Sequence, residues 1–173
     1  MDYYKKELML AEVDKSDRLI GPVERWRAHE KGICHRGFTA ILTYNHQIIL
    51  QHRKHPAFDG FYDLTFSSHP IFIAGKLQSM EDAIYNTLKR EWNLTKKDLI
   101  TDLKYLDKFY YKAKDPKSIY IEHEVDYLYL AELNKLPDVN KDFAYDYKLV
   151  DFGPISNFQM APWTEKIRLN KFF

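Results

Sequence analysis

A chain of 173 residues is long enough for one ordinary domain with a sizeable core, expected here to span residues 1–173. With 45% apolar, 16% aromatic and 29% charged residues, the composition is globular and excludes a disordered chain. A formal net charge of +1 argues against general electrostatic binding of nucleic acid or a membrane surface, and Cys34, the single cysteine, has no partner for an internal disulfide.

The first ten residues, MDYYKKELML, carry charges but no apolar stretch of secretion-signal length. No later run approaches the roughly 20 apolar residues that span a bilayer, so a cytoplasmic protein without membrane insertion is expected. ELMLAEV and RLIGPV flank the turn-rich Asp14-Lys15-Ser16-Asp17 and read as a hairpin, with Gly21-Pro22 expected to end it. PVERWRAHEKG reads as a short turn or helix carrying Arg25, Arg27 and His29. GFTAILTY and QIILQHR, rich in β-branched and aromatic residues, predict two strands around Asn45-His46. DGFYDLTFSSHPIFIAG is mostly extended, punctuated by Gly60 and Pro70.

Ser79 is placed to cap the helix MEDAIYNTLKREW, with Asp82 at the capping-box distance. Ala83, Ile84, Leu88 and Trp92 fall near helical spacing and would face the core. KYLDKFYYKA and SIYIEHEVDYLYLAEL predict long strands separated by the turn Lys114-Asp115-Pro116-Lys117, AYDYKLVDF predicts another strand, and APWTEKIRLNKFF predicts a closing helix. Strands on both sides of a central helix point to an α+β or layered α/β domain, a mixed sheet with flanking helices.

The chemistry begins at IEHEV. In a strand, Glu122 and Glu124 share one face while His123 points to the other. Two carboxylates side by side repel each other unless a cation or a proton sits between them. The pair reads either as an exposed acidic edge or as half of a divalent-metal site. The second reading gains weight if imidazoles converge on it, since a mixed imidazole and carboxylate shell suits Zn²⁺, Mn²⁺ or a similar ion. His29, His35 and His69 are the candidates, and spacing alone does not bring them together. Cys34 reads as a small buried filler.

Several motifs in order carry a resemblance over nearly the whole chain: EVDKSDRLIGPVERWRAHEKGICHRGF, the QHR strand end, SSHP, MEDAIYNTLKREW, YYKAKDP, IEHEV and the late APW. Together they resemble type 1 isopentenyl-diphosphate isomerase, a branch of the Nudix superfamily, and the resemblance implies a Nudix-like α/β/α layered fold. It implies a metal site built from His29, His35, His69, Glu122 and Glu124, and a second, Mg²⁺-type site at Glu91 that helps hold a small-molecule diphosphate. Arg25 and Arg53 match basic positions near the phosphates, where a guanidinium fork is well suited. Tyr111 and Trp163 match aromatics lining the hydrocarbon pocket, and an indole face stabilises a nearby cation by about 2 kcal/mol when desolvated.

The implied reaction interconverts isopentenyl and dimethylallyl diphosphate, with a cysteine and a glutamate facing each other across the substrate. The glutamate maps to Glu124, and the cysteine maps to Ser67. Where the family often has paired arginines the helix reads Asn86-Thr87, and its tryptophan-asparagine stretch reads Tyr62-Asp63-Leu64. Two other functions stay open. A Nudix-type diphosphate hydrolase would use clustered glutamates on several Mg²⁺ ions, and Gly75, Glu81 and Arg90-Glu91 keep part of that run. A metal-stabilised module would bind a phosphorylated ligand without turnover.

Overall fold

The structure, a computed structural model, describes residues 3–153, 155 and 157–167. Its organising strand is β3, His35–Tyr44, in which every residue from Gly37 to Thr43 is buried. Phe38, Ala40 and Leu42 enter one apolar cluster and Ile41 another, so the strand is covered on both faces. The first cluster is closed by helix α2, Met80–Trp92, through Ala83, Ile84, Leu88 and Trp92, the four positions that helical spacing assigns to the core. Ser79 caps α2 as expected: its Oγ accepts from the Asp82 amide at 3.1 Å and donates to the Asp82 carboxylate at 2.7 Å.

The other strands are β1 (Met9–Val13), β2 (Leu19–Glu24), β4 (Gln47–Arg53), β5 (Tyr62–Leu64), β6 (Phe66–Ser68), the small pair β7 (Phe72–Ile73) and β8 (Lys76–Leu77), β9 (Lys104–Lys114), β10 (Ile121–Glu132) and β11 (Ala144–Val150). One mixed sheet has the order β11-β4-β3-β1-β2; β10 runs parallel to β3 and antiparallel to β9, while β5 and β6 pair with β4 and β3. The short helix α1, Arg25–Lys31, follows β2 directly. Between β5 and β6 the chain steps from β4 to β3 at Thr65. This buried residue has φ 54°, and its hydroxyl donates to Ile49 O at 2.8 Å and accepts from Leu42 N at 2.8 Å.

Two expectations are corrected. Gly21-Pro22 does not end the hairpin, because β2 continues to Glu24, with Pro22 opposite Ala11. The strand lies at the sheet edge, where a residue without an N–H breaks no ladder. The closing segment is a 3₁₀ turn over Pro162–Lys166, not a longer helix, and residues 168–173 lie outside the described residues. Trp163 and Ile167 belong to different apolar clusters, and the chain leaves the turn at Ile167, which is extended. Among the described residues, no helix is long and apolar enough to cross a membrane.

Candidate metal centre and reaction cleft

Sheet register assembles the centre. Parallel pairing of β10 with β3 sets Glu124 opposite His35, and antiparallel pairing with β9 sets Glu124 opposite Tyr111. The β3–β6 pairing sets Ser67 opposite Thr39, two residues ahead of His69. Helix α1 supplies His29 from above. Its start is fixed by Glu24, whose carboxylate accepts from the Arg27 amide at 2.8 Å, and its end by Gly32 in the left-handed region at φ 59°.

His29, His35, His69 and Glu122 bring one ligating atom each within 4.8 Å of one another. Two of the imidazoles have their tautomer set by the backbone: His29 Nδ1–H donates to Arg25 O at 2.7 Å and His35 Nδ1–H to Ile33 O at 2.8 Å. Both therefore turn Nε2 toward the cluster, the arrangement that metal-ligating histidines use. Glu124 stands beside the group, its Oε1 2.7 Å from His69 Nε2 and 3.3 Å from His35 Nε2. Its Oε2 accepts from the Tyr111 hydroxyl at 2.6 Å. Gly37 makes room for this carboxylate, since a Cβ there would lie 2.6–2.8 Å from it.

The electrostatics fit a cation. His29 Nε2 and Glu122 Oε2 face each other at 3.2 Å, both buried and neither in a well-formed hydrogen bond. Such orphaned atoms are costly unless something else satisfies them. Burial opposes the charged form of His29, but the Glu122 carboxylate outweighs it and lifts the imidazole to about 8. Burial likewise opposes an ionised Glu124, yet hydrogen bonds from His35 and His69 hold it well below the usual carboxylate range. Burial first, and the Glu124 charge second, push the Tyr111 phenol well above its ordinary value.

Ser67, Tyr111, Glu124, Trp163 and Arg53 line one cleft. The cleft holds only about 20 Å³, the room of about one water, so a larger molecule enters only if the walls move. Trp163 is packed edge-on to Phe58 and its indole N–H donates to Asp63 Oδ1 at 2.9 Å. Asp63 Oδ2 also binds Arg53 Nη1 at 2.7 Å, and the Arg53 guanidinium lies 4.9 Å from the Trp163 ring centre. Arg25 is occupied too, donating through Nη2 to the carbonyls of Tyr3, Tyr4 and Lys6 at 3.0–3.2 Å. Glu91 lines the neighbouring wall with Ser67, Ser68 and His69 but lies outside the ligand group. Cys34 is half-buried, with its thiol pushed up to about 11 by burial and by Glu124, and it does not line the cleft.

The contacts of Thr39, Asp126, Asp63 and Arg90 are not assigned from the sequence. Thr39 Oγ1 lies 2.9 Å from Ser67 Oγ and donates to Asp126 Oδ2 at 2.7 Å, so Ser67 ends a buried chain of polar groups. Burial, then the Glu124 charge, push the Asp126 carboxyl well above its ordinary range. Asp126 continues the period-two alternation of Glu122 and Glu124, a signal that pointed to it. Asp63 enters the sequence reading only as a departure from the family pattern, and Arg90 only as part of the glutamate run.

No family model matches the chain. It is 30% identical over 146 residues to isopentenyl-diphosphate Delta-isomerase 2 of Photorhabdus laumondii, covering 83% of this chain and 77% of that one. It is 28% identical over 178 residues to isopentenyl-diphosphate Delta-isomerase 1 of Bos taurus, covering 90% and 78%. Among solved structures, DR0079 of Deinococcus radiodurans superposes with a TM-score of 0.62 at 16% identity, covering 83% of each chain. The NUDIX domain of Shewanella oneidensis NrtR, complexed with ADP ribose, does so with 0.58 at 14%, covering 78% of this chain and 84% of that one. These structures share the fold, which is Nudix-like, and the sequence relatives fix the family: the chain belongs to the type 1 isopentenyl-diphosphate isomerase family.

Proposed function

We propose that the protein interconverts isopentenyl and dimethylallyl diphosphate in a metal-dependent reaction in the cytoplasm, slowed by the serine at position 67. The observation that carries this reading is the Glu124 carboxylate, which reaches the imidazoles through one oxygen and the Tyr111 hydroxyl through the other. His29, His35, His69, Glu122 and Glu124 would hold the divalent ion, Mg²⁺ or, given the imidazole share, Mn²⁺ or Zn²⁺. When bound, it would supply positive charge that keeps Glu124 ionised as a proton acceptor.

The isomerisation adds a proton to the terminal carbon of the double bond and removes one from the carbon next to the CH₂–O, so protons balance. Glu124, ionised, is the group suited to take a proton from carbon. Tyr111 donates to Oε2 and fixes which oxygen is presented. The proton source is the Ser67 hydroxyl, which regains its proton through Thr39 from the buried Asp126 carboxyl; the relay is refilled, and the proton taken by Glu124 is released, through solvent between turnovers. Trp163 would lend its ring face to the intervening positive charge, with Arg53 already competing for that ring. The hydrolase alternative has less support, because α2 brings no pair of carboxylates together: Glu81 reaches Lys96, while Glu91 is bound by Arg90 and Gln51.

The experiment is incubation of metal-loaded protein with isopentenyl diphosphate in D₂O, followed by NMR. Deuterium should enter the product methyl group with the wild-type chain and not with Glu124→Gln. No exchange by the wild-type chain with its metal bound overturns the isomerase reading, and binding without exchange supports a non-catalytic module.

A further inference from the structure

Arg90, partly exposed, differs from the buried Arg25 and Arg53 in what it borders. A groove of about 650 Å³ opens between the N-terminal turn Tyr3–Lys5, the loop after β4 and the segment before β11. Its charged lining is Lys6, Lys54, Asp59, Arg90 and Asp142. Asp59 accepts hydrogen bonds from the Tyr145 hydroxyl at 3.1–3.2 Å. Of the described lysines and arginines, Arg90 alone lines both this groove and the inner wall beside His29, His69, Ser67 and Ser68. Its Nη2 donates to Glu91 Oε1 at 2.8 Å, to Thr87 Oγ1 at 3.1 Å and to Ser68 Oγ at 3.3 Å. Its Nε is buried with no acceptor.

The same contacts bear on the Mg²⁺ expected at Glu91. Mg²⁺ takes a near-octahedral shell of oxygens at about 2.0–2.1 Å and is held mainly by carboxylates and phosphates. Here Glu91 is bound at both oxygens by donors, Arg90 at 2.8 Å and Gln51 Nε2 at 3.3 Å, and the nearer donor is itself a cation. Glu91 belongs to no cluster of three His, Cys, Asp or Glu ligands among the described residues. The donor set does not fit a second ion. It fits a guanidinium that already balances the carboxylate and still has a donor to offer.

We propose that Arg90, in place of a second divalent ion on Glu91, receives the diphosphate end of the substrate, which enters through the groove flanked by Lys6 and Lys54. The proposal rests on the diphosphate substrate assigned above, but not on turnover. A phosphate oxygen would give the orphaned Nε an acceptor, and a guanidinium fork suits phosphate geometry.

Calorimetric titration of inorganic pyrophosphate into the full chain, loaded with one divalent ion, tests it at low and high free Mg²⁺. Wild-type protein should bind at low Mg²⁺. Arg90→Gln should weaken binding at least about tenfold, Arg90→Lys should weaken it less, and Glu91→Gln, which frees Arg90, should tighten it. Wild-type affinity in Arg90→Gln overturns the proposal, as does loss of binding in Glu91→Gln together with binding that needs added Mg²⁺. Should Arg90→Gln melt before assay, Lys54→Glu on the exposed rim takes its place: severalfold weaker binding supports the groove, and unchanged affinity overturns it. Pyrophosphate binding that depends on Arg90, without deuterium exchange into isopentenyl diphosphate, would remove the isomerase reading and leave this proposal. Exchange that survives Arg90→Gln undiminished would do the reverse.

Discussion

Replacing Ser67 by cysteine puts an acidic thiol where the family resemblance implies one. The ordinary thiol pKa is about 8.5, and a well-placed acid or base contributes about 10²–10⁴-fold to a rate, or roughly 3–5 kcal/mol of barrier. At that ordinary value the thiol is protonated at neutral pH, as an acid must be. The cost to the fold is small, because Ser67 makes one hydrogen bond with Thr39, at 2.9 Å, worth about 0.5–1.5 kcal/mol. Initial rates of dimethylallyl diphosphate formation should therefore rise about a hundredfold or more in Ser67→Cys, with Tm lowered by only a few degrees. Ser67→Ala should fall below wild type. A Ser67→Cys protein that is folded, metal-loaded and no faster than wild type refutes the pairing of position 67 with Glu124.

Tyr111→Phe removes the one hydroxyl bonded to Glu124 Oε2; turnover should drop by about 10² or more while metal content stays at the wild-type level, and a rate within twofold of wild type contradicts the role. Gly37→Ala drives a Cβ to 2.6–2.8 Å from the Glu124 carboxylate, so metal affinity and melting temperature should fall together; titration of metal into the purified variant checks this. Asp63→Ala strands the buried Arg53 charge and releases the Trp163 indole N–H, a loss of about 3–5 kcal/mol in urea unfolding. In chelator-treated protein, His29 has a folded value of about 8 against 6.5 unfolded. Because the folded value is raised, its contribution of about 2 kcal/mol is complete below pH 6.5 and disappears as pH rises through 8. Urea midpoints across pH 6–9 should fall over that window, and no fall there removes the His29–Glu122 pair from the account.

The fold was largely legible because its main signals are local. Ser79 with Asp82 announces α2, and β-branched runs announce β3 and β4. What was hidden is non-local. Nothing in the spacing of His29, His35 and His69 shows that β10 lies parallel to β3, and that pairing is what sets Glu124 opposite His35. Thr39 reads as one more strand residue until β6 brings Ser67 across from it. Asp63 reads as a departure from the family pattern, whereas the structure uses it to bind Arg53 and Trp163 together. The continuation of β2 through Pro22 was illegible for a related reason, since a proline is tolerated only because the strand has a free edge.

Metal content tests the central claim most directly, that five side chains from α1, β3, β10 and the segment after β6 converge on one ion. Protein stripped with a chelator, dialysed against Mn²⁺, Zn²⁺ or Mg²⁺ and measured by elemental analysis should carry one tightly held ion per chain. His35→Ala and Glu122→Ala should each carry almost none while retaining a cooperative melt. A wild-type chain that takes up no divalent ion, or variants that still hold a full equivalent, would contradict the account.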